Sequence, residues 1–272
     1  MKRILTAIVL VPVLILVIGY APGYLFTLLV ATAAVLSLDE FFGIVAKSGV
    51  EIYRVWGHVL GICLILSFHV SPLNQTLSMI VLILSVFLLL AWNLRTSKSL
   101  PEAIPGSALT TLGLIYVPAS LGLLIALHSS HTLWGEGSRW VFFLLIVVWF
   151  GDTAAYYIGG SLGKHLLAPN LSPKKTVEGA WGGLLGSALA AVVSKKIFLP
   201  QASLVELILL ALVIGVVSQI GDLSESALKR AAGVKDSSKL LPGHGGMLDR
   251  IDGVLFGSPI LFVYVRFLLK PA

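Results

Sequence analysis

Nine apolar stretches, at 4–20, 24–46, 55–70, 76–94, 108–128, 139–160, 178–194, 203–223 and 253–269, follow one another along the chain, most of them separated by short polar segments. A helix needs about 17–25 apolar residues to cross the hydrocarbon core of a bilayer. Each stretch is therefore expected to be a spanning helix. The weakest is 55–70, which is short and contains Gly57, His58 and Gly61. With 57% apolar and only 12% charged side chains, and a mean hydropathy of +0.97, the chain has too little polar surface to cover a water-soluble globule. The expected fold class is all-α, a polytopic membrane protein of about nine transmembrane helices.

Orientation follows from charge. Lys and Arg gather on cytoplasmic loops, and with the N-terminus inside, 14 of the 19 fall on that side. Arg139, Lys195, Lys196, Arg266 and Lys270 fall outside, and the expected topology is N-in, C-out. The formal charge of +6 is thus read as topology first and as affinity for anionic ligands second, not as a nucleic-acid surface. Lys2 and Arg3 before the first apolar run resemble a signal peptide, but no small-x-small cleavage site follows, so a retained helix is expected. Cys63 is the one cysteine, which excludes an intrachain disulfide and a cysteine metal site.

Two loops on the cytoplasmic side differ from the short turns elsewhere: 160–177, rich in Gly, Lys and Pro, and 223–252, long and polar. They suggest a division into an N-terminal set of about five helices, 1–138, and a C-terminal catalytic region, 139–272. No internal repeat of the kind many transporters carry is evident.

Ionisable residues in spanning helices are costly and point to function. Asp39 and Glu40 carry no assignment, because pairing with a basic residue or reaching interfacial water explains them equally well. Asp222 opens a stretch in which helical spacing sets Asp222, Glu225, Ser226 and Lys229 along one face. Asp249 and Asp252 form a second carboxylate pair at i and i+3. Such carboxylates suit a hard cation, with positions left for phosphate oxygens and water. Between the pairs lie Lys235, Asp236 and the bend Leu241-Pro242-Gly243-His244-Gly245-Gly246, whose glycines and flanking cations suit a phosphate. The segment from Gly159 to Gly179 repeats glycine beside lysine, with Ser172, Lys174 and Lys175, but Gly163-Lys164 is followed by His165, so it is not a Walker A loop. Asp152 adds a carboxylate near the cytoplasmic end of its helix.

Ser226-Ala227-Leu228-Lys229-Arg230, then Lys235-Asp236, then Leu241-Pro242-Gly243-His244-Gly245-Gly246-Met247-Leu248-Asp249-Arg250-Ile251-Asp252 resembles, without departure over 27 residues, the signature of the phosphatidate cytidylyltransferases, also called CDP-diacylglycerol synthases. Gly151-Asp152, Ser172 to Thr176 and Glu178-Gly179 resemble that family too, so the likeness covers roughly the C-terminal half. It implies that the phosphate of phosphatidic acid attacks the α-phosphorus of CTP, giving CDP-diacylglycerol and pyrophosphate with Mg²⁺, with room for a second, monovalent cation. Under that resemblance Asp222 and Asp249 are the leading metal ligands, with Glu225 and Asp252 supporting and Asp152 a weaker candidate. Lys229, Arg230, Lys235, His244, Gly245 and Gly246 would hold the triphosphate; Ser172, Lys175 and Arg250 would meet the lipid phosphate; Lys174, Ser226 and Asp236 complete the substrate-binding set. A homodimer in the cell (inner or plasma) membrane, its site facing the cytoplasm, is also implied.

Two rivals are weighed. A transporter would line a pathway with Asp39, Asp152 and Asp222, yet the distinctive residues cluster toward one membrane face. A CDP-alcohol phosphotransferase would carry an Asp-Gly-x-x-Ala-Arg element, which this sequence lacks.

Overall fold

The computed structural model describes residues 2–96, 100–132, 135–238 and 245–269. Helices dominate it: α1 (Lys2–Gly19), α2 (Gly23–Ala46), α3 (Arg54–Val70), α4 (Thr76–Thr96), α5 (Leu100–Leu114), α6 (Ser120–His128), α7 (Gly137–Leu162), α8 (Val177–Ile197), α9 (Leu204–Ala231) and α10 (Leu248–Val263). A π-helical turn, Ile115–Ala119, joins α5 to α6, and Pro118, which has no N–H to donate, sits inside it. Two short antiparallel hairpins interrupt the helices: β1 (His131–Thr132) with β2 (Gly135–Glu136), and β3 (Leu166–Ala168) with β4 (Ser172–Thr176).

Seven helical stretches among the described residues are long and apolar enough to cross a membrane: 23–46, 76–95, 104–128, 137–162, 177–197, 204–231 and 248–268. Arg54–Val70 is apolar but shorter. Of the nine expected spans, then, length and composition support seven. The chain is an integral membrane protein.

Helix α9 runs two turns beyond the expected end at 223, and α10 begins at Leu248, so the expected polar loop 223–252 is helical at both ends. The reason is local. Ser224 to Arg230 contains good helix formers, and Lys229 and Arg230 in the last turn complement the negative end of the helix dipole. Likewise 160–177 is the end of α7 followed by the β3–β4 hairpin. Thr176 caps α8, its hydroxyl accepting from the N–H of Gly179 at 3.1 Å.

The chain forms two compact units: 1–126 with Leu228–Arg250, and Leu127–Ala227 with 251–272. Residues 228–250, which a cut at 138/139 assigns to the C-terminal region, cluster with the N-terminal helices. The first unit buries Leu38, Phe41, Phe42, Leu64, Ile65 and Leu114. The second buries Trp140, Phe143, Leu144, Val147, Ile214 and Leu261.

Helices α7 and α8 of the second unit touch through glycine. A Cβ on Gly186 would lie 2.5 Å from the Phe150 carbonyl oxygen, and one on Gly179 would lie 2.9 Å from that of Ala155. In lipid, where apolar side chains gain nothing by leaving the solvent, such backbone approach supplies the packing that holds helices together. Gly186→Leu should force them apart at a cost of about 1–3 kcal/mol, read as a lower midpoint of thermal unfolding in detergent. An unchanged midpoint would mean that this contact contributes nothing.

Candidate active site

The second unit brings α9 and α10 together by the same device. A Cβ on Gly221 would lie 2.8 Å from Phe256 and 2.9 Å from the Asp252 carbonyl oxygen, and one on Gly253 would collide with the hydroxyl of Ser218. Each glycine is the sequence neighbour of an aspartate. The close crossing therefore carries Asp222 and Asp252 toward each other, and one turn along α9 it adds Glu225. Ligand oxygens of the three carboxylates lie within 4.8 Å of one another. Glu225 is 1% exposed and Asp252 9%, while Asp222 opens toward solvent. Asp252 Oδ1 accepts from the N–H of Gly253 at 2.7 Å, and the charges of Asp222 and Asp152 both act on Asp252.

Carboxylates this close repel unless positive charge is supplied. Among the described residues, Lys175 on β4 supplies such charge, its Nζ 2.5 Å from Asp222 Oδ2. Glu178 in turn anchors the hairpin that carries Lys175. Its carboxylate accepts from the N–H groups of Lys164 (3.1 Å) and His165 (3.2 Å) and meets His165 Nδ1 at 2.6 Å. The set is all oxygen, partly open and short of positive charge, which fits a hard divalent cation such as Mg²⁺.

The first unit holds the other carboxylate of the motif. Asp249, in the first turn of α10, takes Lys229 Nζ at 2.5 Å on Oδ1. Its Oδ2 accepts from the N–H of Gly246 (2.9 Å), and both the N–H (3.2 Å) and the hydroxyl (2.8 Å) of Ser237 lie within hydrogen-bond reach of it. Lys229 and Asp249 are only 12% and 11% exposed. Gly245 has φ +79°, and a Cβ there would lie 2.8 Å from Asp249 Oδ2, so its backbone passes close to the carboxylate where a side chain would not fit.

The family model described as the Cytidylyltransferase family matches residues 1–268. The chain belongs to the cytidylyltransferase family. A phosphatidate cytidylyltransferase of Brucella suis biovar 1 (strain 1330) is 35% identical over 279 residues, covering 99% of this chain and 94% of that protein. One of Bacillus subtilis (strain 168) is 40% identical over 152 residues, covering 56% of this chain and 55% of that protein. Another, of Staphylococcus epidermidis (strain ATCC 35984), is 45% identical over 126 residues, 46% of this chain and 48% of that protein. The chain spans about half the length of these last two relatives.

In this member of the cytidylyltransferase family the expected residues divide between the units. Asp222, Glu225, Asp252 and Lys175 meet in the second. Asp152, on α7, is exposed, as is Lys174; Ser172 opens β4 and Ser226 is buried on α9. Lys229, Asp249, Gly245 and Gly246 meet in the first. Arg230 donates to the Val234 carbonyl at 3.2 Å, and Lys235, Asp236 and Arg250 are exposed. His244 lies outside the described residues. The N–H of Gly246, expected to face a phosphate, is directed at Asp249.

Sequence reading passed over Glu40. The structure separates it from its neighbour: Asp39 has Arg54 in reach at 2.7 Å, whereas Glu40 faces inward at 6% exposure. A buried carboxylate in a spanning helix demands partners that a search for nearby bases does not find.

Lys229→Met leaves Asp249 mostly buried without its cation and should destabilise the fold by about 3–5 kcal/mol, read as a lowered unfolding midpoint in detergent. The double variant Lys229→Met with Asp249→Asn should recover more than half of that loss; no recovery would mean that the pair is not the source of the stability.

Proposed function

We propose that this chain is a phosphatidate cytidylyltransferase, joining the phosphate of phosphatidic acid to the α-phosphorus of CTP with release of pyrophosphate. The observation that carries the reading is the convergence of Asp222, Glu225 and Asp252 beside Lys175, in a chain aligned over 99% of its length with the Brucella enzyme of that name. The attacking group is a phosphate monoester, largely ionised near neutral pH, so no strong general base is required. Alignment and charge neutralisation carry the catalysis.

Asp222, Glu225 and Asp252 would hold Mg²⁺, which when bound neutralises phosphate oxygens. Lys175 lies against Asp222 and, with Ser172 and Lys174 on the same strand, is assigned to phosphate oxygens of the substrates. Lys229, Arg230 and Lys235 are assigned to the triphosphate and the departing pyrophosphate, with His244 on the same segment, and Arg250 to the lipid phosphate. Asp249 orients Lys229 and ties Ser237 to Gly246; it would take a cation of its own, including the monovalent one, only where Lys229 turns to phosphate. Ser226 and Asp236 stay on the substrate side as supporting groups, and Asp152 as an outlying carboxylate of the metal set.

The lipid tails stay in the bilayer and CTP arrives from water, so the site belongs at the cytoplasmic face of the cell membrane, with the N-terminus inside and the protein working as a homodimer. The particle mass in detergent reads the last point. With Cys63 replaced, a cysteine at Ser161 should react with an impermeant maleimide from the cytoplasmic side alone; reaction from the outside alone would reverse the orientation.

The deciding assay supplies purified protein with phosphatidic acid, radiolabelled CTP and Mg²⁺ in detergent. Labelled CDP-diacylglycerol should form, disappear with EDTA, return with Mg²⁺, and fall at least about 100-fold in Asp222→Asn, of the order expected for loss of an electrostatic catalytic group. A folded, lipid-supplied protein that yields no product would turn the reading toward the transporter.

A further inference from the structure

Glu40 lies near the end of α2, in the N-terminal half, where the motif resemblance does not reach. Its two oxygens meet four donors, all from the motif segment. Oε1 accepts from the Ser238 hydroxyl (2.6 Å) and the N–H of Met247 (2.9 Å); Oε2 accepts from the N–H of Leu248 (2.8 Å), with the Ser237 hydroxyl at 2.9 Å. The Ser237 hydroxyl stands between two carboxylates, 2.9 Å from Glu40 and 2.8 Å from Asp249, and its single proton serves one at a time. A Cβ on Gly246 would collide with both Glu40 and Ser237.

Two consequences follow. Leu248 opens α10, directly after Met247, where the first N–H groups have no partner within the helix, and Glu40 caps both N–H groups from another helix at the positive end of the dipole. Through Ser237 the same carboxylate is linked to Asp249, and through Asp249 to Lys229. The two sides of the bend, 237–238 and 246–248, are thereby held on one side chain.

We infer that Glu40 is a positioning residue for the nucleotide: it holds 237–238 and 246–248 together, and with them the Lys229–Asp249 pair, in the geometry that receives the triphosphate. The inference rests on the nucleotide reading proposed above. In Glu40→Gln one oxygen keeps its two donors, but the amide NH₂ replaces the other and faces the N–H of Leu248, which cannot accept. Glu40→Asp keeps all acceptors on an arm shorter by about 1.5 Å. Asp39→Asn removes the same charge one residue away, at an exposed position paired with Arg54, and serves as the control.

The experiment measures KM for CTP, KM for phosphatidic acid and kcat with the full chain in detergent. Glu40→Gln should raise the CTP KM at least tenfold and leave the lipid KM within twofold. Glu40→Asp should return the CTP KM to within threefold of the parent, and Asp39→Asn should leave all three parameters unchanged. KM does not depend on the fraction of active protein, so a purely structural loss would lower only the apparent kcat; that outcome, with the CTP KM unchanged, overturns the inference. Should Glu40→Gln not fold, Ser238→Ala decides: a CTP KM raised about threefold supports the positioning role, and an unchanged one overturns it. A parent protein that turns over CTP beside an unaltered Glu40→Gln KM removes this inference alone, whereas a parent that makes no product from CTP removes the nucleotide reading and this inference with it.

Discussion

A carboxylate inside a bundle of apolar helices must be met by donors or cations, because neither lipid nor packed side chains can solvate it. Much of the polar architecture of this protein answers that requirement. Glu40 is met by two serines and the first N–H groups of α10; Asp249 by Lys229, Ser237 and Gly246; Asp222 by Lys175. Asp222, Glu225 and Asp252 converge with Lys175 beside them, and that all-oxygen group is the one proposed to hold a divalent ion.

Such a group exists because two helices approach closely. Gly221 and Gly253 leave no room for a Cβ at the crossing of α9 and α10, and their neighbours in sequence are Asp222 and Asp252. The glycine that permits the approach and the carboxylate that uses it are adjacent in each helix. Helices α7 and α8 repeat the principle at Gly179 and Gly186, and the β3–β4 hairpin between them carries Lys175 to Asp222. Small residues thus set both the packing and the electrostatics.

The chemistry proposed asks little of acid–base catalysis and much of charge placement. One unit carries the carboxylates and a lysine; the other carries the bend with Lys229 and Asp249. Asp249, expected from the motif to hold a metal, has oxygens that already serve a lysine, a serine and a backbone N–H.

Hydropathy and charge determined the membrane class, the helical fold and the positions of most helices, because the length of an apolar run is a direct response to bilayer thickness. Residue spacing determined that Asp222 and Glu225 share a helix face, and the motif resemblance named the family. The sequence could not place the ends of α9 and α10, where a polar composition suits loop and solvated helix alike. It could not show that 228–250 packs with the N-terminal helices, nor that Glu40, almost 200 residues earlier than Ser237, holds that segment. Those points were decided by tertiary structure alone, since a buried carboxylate is satisfied by whatever donors the fold brings to it, and no local pattern records contacts across so long a stretch of chain.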